Sequence, residues 1–236
     1  MAKNRIAAVV PARGGSKGLR DKNIRPLNGK PLIGYTLECA LASGVVDVLA
    51  VSTDSERIAG VASAYPGVEI IPRPPLLATD TASGPDVLAH GMAFLTERHG
   101  PFDYFFFLQP TSPLRAPGDV RDALALAAEK DALSVVSVCE CGHHPLWSNV
   151  LPGDLSLESF LRPEVRGKNR QELPRYYQLN GAVYLVSSRI PGRERIDFFG
   201  PRSYALVMPR NRSVDIDTLE DFLFAEVLLR HDQEER

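Results

Sequence analysis

Cysteine is scarce in this chain: three in 236 residues, too few for the disulfide framework of a small secreted domain. Long hydrophobic runs are missing as well. The dense apolar stretches Ile6–Val10 and Tyr104–Leu108 are five residues each, against the ~20 that cross a bilayer. The first of them stops at Pro11 and is too short for the apolar core of a signal peptide. Neither sign of charge is in excess, since the formal net charge is −2, and this speaks against a nucleic-acid coat or a polybasic membrane binder. Any anionic ligand must therefore be met by a local cluster of cations. With 18 glycines and 19 prolines, collagen-like and low-complexity readings fall away, and no internal repeat is visible. What is present suits a soluble globular protein of the cytoplasm: 44% apolar and 24% charged residues. The length forms one large domain, or a domain with a small appendage, and buries a sizeable core.

Short β-rich runs alternate with helical patterns. Ile6–Val10, Val48–Ser52, Val68–Ile71, Tyr104–Leu108 and Leu133–Val138 are almost continuously apolar, as strands covered on both faces of a parallel sheet are. Between them Pro31–Ala42, Ser55–Tyr65, Pro85–Arg98 and Pro117–Glu129 carry apolar residues at helical spacing. Pro31, Pro85 and Pro117 stand where a first helical turn tolerates proline. Repeated β–α alternation predicts right-handed crossovers and a doubly wound, mostly parallel α/β sheet, with ligands outside the carboxyl ends of the strands. The rhythm breaks at residues 141–177, which are rich in Pro, Arg, Asn and Gln. It resumes with strands at Ala182–Val186 and Tyr204–Met208 and a closing helix at Thr218–Arg230. The chain thus divides into an α/β domain, 1–140 and 178–236, and an insertion, 141–177; so long an irregular stretch is usually functional or an interface.

The strongest chemical signal follows the first strand, in Pro11-Ala-Arg-Gly-Gly-Ser-Lys-Gly-Leu-Arg-Asp-Lys-Asn23. Gly14, Gly15 and Gly18 let the backbone approach a ligand and expose its N–H groups. Arg13, Lys17 and Lys22, with Arg20 in support, add positive charge. Amide donors and cations together are what a triphosphate needs, although the string is neither GxxxxGK[ST] nor GxGxxG. The bland alternative is a solvated loop with incidental charges. Asp215 and Asp217 are i and i+2 on an extended segment, so both carboxylates can face one way and hold Mg²⁺ together with phosphate oxygens; Asp217 could equally cap the helix that follows. Asp54 ends a strand and reads as a helix N-cap rather than a substrate contact. Gln109, at the end of the fourth strand, offers an amide that donates to an acid and accepts from a hydroxyl, unless Pro110 and Pro113 merely make a rigid turn there. Cys139, Cys141, His143 and His144 lack the spacing of known zinc sites, and His99 and His231 read as surface helix residues.

The opening IAAVVPARGGSKGLRDKNIRPLNGKPLIGYTL resembles that of the CMP-sialic acid synthetases (acylneuraminate cytidylyltransferases), as do VSTDSERIA, RPPLLATDTAS, LQPTSPLR, NGAVYL and SVDIDTLEDF further along. The resemblance runs through essentially the whole chain. It implies a Rossmann-like nucleotidyltransferase fold, a homodimer built through the 141–177 insertion, Mg²⁺, and transfer of CMP from CTP to a nine-carbon 2-keto sugar acid with loss of pyrophosphate. It implies a nucleotide site of Arg13, Gly14, Ser16, Lys17, Lys22, Asn23, Arg73 and Ser83, with Arg13, Lys22 and Asp217 catalytic; the base would be one of the two aspartates, Asp217 ahead of Asp215. Asp215 and Asp217 would hold the metal. Gln109, Arg170 and Asn180 would face the acceptor, with Thr111, Ser112 and Arg115 shaping the wall beside Gln109, and Arg166, Lys168 and Arg175 adding cations near Arg170. Two departures from the family stand out: Arg20 where many relatives carry Pro, and Gln178 where some carry Arg. The acceptor is N-acetylneuraminate or a relative such as legionaminate, pseudaminate or the deaminated sugar. The rivals are a 3-deoxy-manno-octulosonate cytidylyltransferase, a catalytically silent nucleotide-binding homologue and, less well matched, a Rossmann dehydrogenase. With eighteen residues after the Asp-Ile-Asp-Thr string, no appended phosphatase-like domain is expected.

Overall fold

The computed structural model describes residues 4–15, 18–191 and 196–234. Among these described residues the strands are β1 (Ile6–Pro11), β2 (Pro26–Leu27), β3 (Lys30–Pro31), β4 (Val48–Thr53), β5 (Val68–Pro72), β6 (Tyr104–Phe107), β7 (Ser134–Glu140), β8 (Tyr177–Ser187) and β9 (Ser203–Val207). The helices are α1 (Leu32–Ser43), α2 (Glu56–Ser63), α3 (Gly84–His99), α4 (Pro117–Lys130) and α5 (Leu219–Glu234). Seven strands form one sheet in the order β5-β4-β1-β6-β8-β7-β9, and β2 pairs only with β3. β1 runs parallel to β4 and β6, β4 to β5 and β7 to β9; β8 is antiparallel to both its neighbours.

Alternation along β1 explains the two-sided core. Ile6, Ala8 and Val10 pack with Ile33, Leu37, Ile58 and Val120 of α1, α2 and α4, while Ala7 and Val9 pack with Val87, Leu88, Met92 and Leu95 of α3. Successive side chains of a strand point to opposite faces, so a strand clad on both sides must be apolar throughout. α3 comes so close to the sheet that a Cβ on Gly91 would lie 2.8 Å from Val9 Cγ2. β5 departs from the expectation of burial on both faces: it is an edge strand, and only Ile71 in it is fully buried.

β8 begins five residues before the predicted strand. Its first half, Tyr177-Gln-Leu-Asn-Gly, has no apolar pattern and is held by pairing with Val138, Cys139 and Glu140 of β7. The register shifts between Val136 and Val138, and Gly181 opposite takes φ +70, a bulge that bends the strand. Residues 142–176 contain only 3₁₀ turns, at Pro145–Trp147, Pro163–Val165 and Arg170–Glu172.

Candidate active site

A cavity of about 640 Å³ opens beyond the carboxyl ends of β1 and β6, lined among others by Arg13, Lys22, Asn23, Arg73, Gln109, Asp215 and Asp217. The topology accounts for its place: from β1 the chain winds one way to β4 and β5, and α3 then carries it across to β6 on the other side of β1. Strand order reverses there, which leaves a crevice.

The glycine-rich loop is fastened at several points. Gly14 N–H donates to Asp54 Oδ1 at 2.8 Å, and Asn23 Nδ2 donates to the Arg13 carbonyl at 3.2 Å. Asp54 is therefore not a helix cap. Ser55 caps α2 instead, accepting from Ile58 N–H, and Asp54 ties the loop down. The Gly14 amide, expected to face phosphate, is already committed to that carboxylate. Gly15 has φ +69, a conformation open to glycine. At Gly18 a Cβ would lie 2.5 Å from the Asp217 carbonyl, so only glycine lets the loop pass. Ser16 and Lys17 lie outside the described residues.

The cations are held in different ways. Lys22 Nζ donates to the Ile216 carbonyl (2.7 Å) and to Asp217 Oδ1 (3.0 Å). Arg13 pairs with Asp80 Oδ1 at 2.7 Å. Arg73 is buried, with its guanidinium on Ser52 Oγ and the Ser52 carbonyl. Burial pushes Arg73 down to about 10; Asp54 pulls it back up and Arg13 pushes it further down, and it remains a cation at neutral pH. Beside it Leu77, Ala82, Val87 and Phe107 give the cavity an apolar wall. Ser83 is not part of that wall. Its hydroxyl caps α3, accepting from Asp86 N–H and donating to Asp86 Oδ2; Ala82 and Gly84 on either side line the cavity in its place.

At the other end stand the two aspartates. Val214 and Ile216 are buried in a small core with Leu19, Leu27, Leu32, Leu114 and Phe222, and alternation then leaves Asp215 and Asp217 on the cavity side. The helix-cap alternative for Asp217 is not realised. Asp221 Oδ2 accepts from the N–H groups of Asp217 and Thr218 and from the Thr218 hydroxyl. Thr218 Oγ1 in turn accepts from Asp221 N–H, a reciprocal cap that leaves the Asp217 carboxylate to Lys22. Burial raises the Asp215 carboxyl above its ordinary range; a hydrogen bond from Thr111 opposes this, Asp217 adds to it and Lys22 opposes it again. Asp215 Oδ1 is buried with no hydrogen-bond partner among the described residues. An orphaned carboxylate oxygen next to a second carboxylate fits a divalent cation, and no cage of three or more His, Cys, Asp or Glu forms among the described residues. That is the donor set of a metal that takes its other ligands from phosphate and water.

Several residues in or behind the cavity wall carry no obvious mark in the sequence. A Cβ on Gly181 would sit 2.6 Å from Gln109 Oε1 and 3.1 Å from Asp215 Oδ2, so this glycine makes room for both. An isolated glycine in a strand pattern is the available signal for such close approach. Tyr184 packs against Phe107 and Phe198, and its phenol is pushed up by burial and then by Asp215. Asp80, one acid in a polar stretch, likewise bears no mark in the sequence of its place on the cavity.

Two expected acceptor residues are not on the cavity. Asn180 is buried: its Oδ1 accepts from Ser137 Oγ and Ala182 N–H, and its Nδ2 donates to Ser213 Oγ at 2.9 Å and reaches Met208 Sδ at 3.4 Å. Those bonds satisfy the backbone at the β8 bulge, a structural task. Arg170 bonds the carbonyls of Cys141 and Gly142 and pairs with Glu140, in a separate groove with Arg175 and Arg210. Thr111 does line the wall beside Gln109. Ser112 and Arg115 lie behind it, Arg115 fully enclosed and donating to the Gln109 and Ala182 carbonyls at 2.6 Å. His144 spends both ring nitrogens locally, on the Pro174 carbonyl and Leu146 N–H.

The sequence pattern of the Cytidylyltransferase family matches residues 7–129. The chain is 36% identical over 217 residues to an N-acylneuraminate cytidylyltransferase of Streptococcus agalactiae, covering 91% of this chain and 51% of that one. It is also 36% identical to the CMP-N,N'-diacetyllegionaminic acid synthase of Legionella pneumophila, over 98% of both chains. It therefore spans about half the length of the streptococcal relative and nearly all of the Legionella one. In fold it is similar to a CMP:2-keto-3-deoxy-manno-octonic acid synthetase solved with CTP, with TM-score 0.70, 21% identity, and 97% and 99% of the two chains covered.

Proposed function

Because the chain belongs to the cytidylyltransferase family, we propose that it transfers CMP from CTP to the anomeric hydroxyl of a nonulosonic acid, a nine-carbon 2-keto sugar acid, releasing pyrophosphate. The observation that carries this is the arrangement of one cavity: Arg13 and Arg73 line it together with Asp215 and Asp217, and Lys22 sits directly on Asp217, so that cations for a triphosphate and carboxylates for a metal share one space. The apolar wall of Leu77, Ala82, Val87 and Phe107 takes the base and ribose, beside Arg73. Arg13 and Lys22 hold the β- and γ-phosphates and neutralise the charge that gathers on the leaving pyrophosphate. Gln109, on the far wall next to Gly181, orients the acceptor. The acceptor oxygen attacks the α-phosphorus, the bond from that phosphorus to the bridging oxygen breaks, and Asp217 takes the hydroxyl proton. Asp215 and Asp217 suit Mg²⁺, which when bound supplies charge neutralisation at the phosphates and makes a coordinated hydroxyl more acidic.

A homodimer completes the acceptor side in this reading. Val150, Leu151, Leu155 and Leu157 of the insertion are exposed apolar residues, suited to a partner surface. Arg170, outside its own cavity, would reach the neighbouring subunit's acceptor carboxylate. Among the described residues no helix is long and apolar enough to cross a membrane.

The test is pyrophosphate release from CTP and Mg²⁺ with a panel of nine-carbon keto sugar acids and the eight-carbon 3-deoxy-manno-octulosonate, run beside ATP, GTP and UTP. Release with CTP and one nine-carbon acid, lost on adding a chelator, is the expected result. Release with the eight-carbon acid alone would move the chain to the rival enzyme, and no CTP binding would overturn the reading.

A further inference from the structure

Of the cavity's cations, Arg73 is locked to Ser52 of the sheet and Lys22 to the Ile216 carbonyl as well as to Asp217. Arg13 is different. Its charge rests on Asp80, at the tip of a turn closed by Ala82 N–H on the Thr79 carbonyl (3.3 Å), and the Arg13 and Asp80 side chains are 29% and 42% exposed. Among the described residues Arg13 also makes a weak 3.5 Å contact to the Ala78 carbonyl, in the same stretch of chain. The Arg13–Asp80 pair spans the cavity from the glycine-rich loop to the β5–α3 connection, and both residues line it.

We propose that Asp80 is an internal counter-anion that occupies Arg13 until a nucleotide triphosphate displaces it. The inference rests on Arg13 being a phosphate ligand, as in the reading above. Arg13 and Arg73 repel each other across the cavity, and a carboxylate on Arg13 relieves that repulsion in the free protein. A triphosphate carries several charges where Asp80 carries one, so it takes the guanidinium, and the two anions then repel. Thr79 and Ala82, on the same turn as Asp80, also line the cavity, so releasing Asp80 moves part of the wall. Nucleotide binding is thus an exchange of one anion for another, and a ligand without the β- and γ-phosphates cannot drive it.

The experiment is calorimetric titration of CTP and CMP into wild-type protein, Asp80→Asn, Arg13→Ala and the double variant. Asp80→Asn is close to isosteric and half exposed, so the fold tolerates it. It should bind CTP about five-fold more tightly than wild type, the size of a partly exposed ion pair, and the gain should vanish in the Arg13→Ala background. Equal or weaker CTP binding by Asp80→Asn, or a gain that persists without Arg13, overturns the proposal while leaving the enzyme reading standing. If wild type binds no CTP, the enzyme reading fails and takes this inference with it.

Discussion

Around β1 the walls of the cavity are tied to one another across the chain: Gly14 to Asp54, Asn23 to Arg13, Lys22 to Ile216, Arg115 to Gln109 and Ala182. Residues 142–176 instead bond mainly to themselves and to the nearby end of β7. Arg166 donates to the carbonyls of Glu158 and Leu161, Asn149 to that of Phe160, and Arg170 to those of Cys141 and Gly142. Val165 is buried there, yet Val150 is 86% and Leu155 69% exposed. The first region buries its apolar side chains and aims its charges at one cavity; the second buries Val165 and Leu173 but leaves Val150, Leu151, Leu155 and Leu157 exposed, and spends its arginines on nearby carbonyls. In the proposed homodimer, the first region is the part of the site that one subunit assembles by itself and the second is the part that would meet another surface.

The sharpest way to break this comparison is to mix subunits. Lys22→Ala disables the cavity and Arg170→Ala the reach of the insertion; each homodimer should be inactive. Co-refolded mixtures should recover pyrophosphate release, because a heterodimer pairs an intact cavity with an intact Arg170. No recovery would mean that Arg170 acts within its own chain or not at all. A smaller effect probes the pre-assembled wall. Gly181→Ala places a Cβ 2.6 Å from Gln109 Oε1 at φ +70; it should cost about 1–2 kcal/mol of stability and, by displacing Gln109 and Asp215, roughly 100-fold in turnover. Denaturant unfolding and steady-state assays would check both.

Asp215 separates function from stability in the same wall. Burial raises its pKa in the folded chain, so ionisation is easier in the unfolded state. The resulting penalty is absent below the unfolded pKa and is complete above the folded one. At pH 7 Asp215→Asn should raise Tm by about 2–4 °C, and the gain should disappear below about pH 4, as calorimetry across pH would show. The smallest effect is expected at Ser83→Ala, which removes a helix cap worth about 1 kcal/mol and should leave CTP affinity unchanged. Weaker CTP binding would return Ser83 to the nucleotide site.

Much of the fold was legible from periodicity. The apolar runs at Ile6–Val10, Val48–Ser52 and Tyr104–Leu108 are central strands because a strand covered on both faces leaves no position for a polar residue. The start of β8 was not, since Tyr177-Gln-Leu-Asn-Gly is a strand only through its pairing with β7. In the site, the sequence points to Arg13, Lys22, Arg73, Gln109, Asp215 and Asp217, and the structure brings them to one cavity. Ser83, Asn180 and Asp54 show where such reasoning stops. Each is a small polar residue whose side chain can serve a ligand or a nearby backbone amide, and the choice depends on which atoms lie within about 3 Å.

From the sequence alone follow the residue types and their spacing along the chain: buried strands, a glycine-rich cationic loop, two carboxylates two residues apart. These are local properties, set by side-chain chemistry and backbone periodicity. Tertiary structure alone decided the pairings across distant segments, namely Asp54 on Gly14, Asp80 on Arg13, Lys22 on Asp217, and Gly181 making room for Gln109 and Asp215. Hydrogen bonds and ion pairs act over a few ångströms, and only the folded chain brings residues 65 or 195 positions apart within that range.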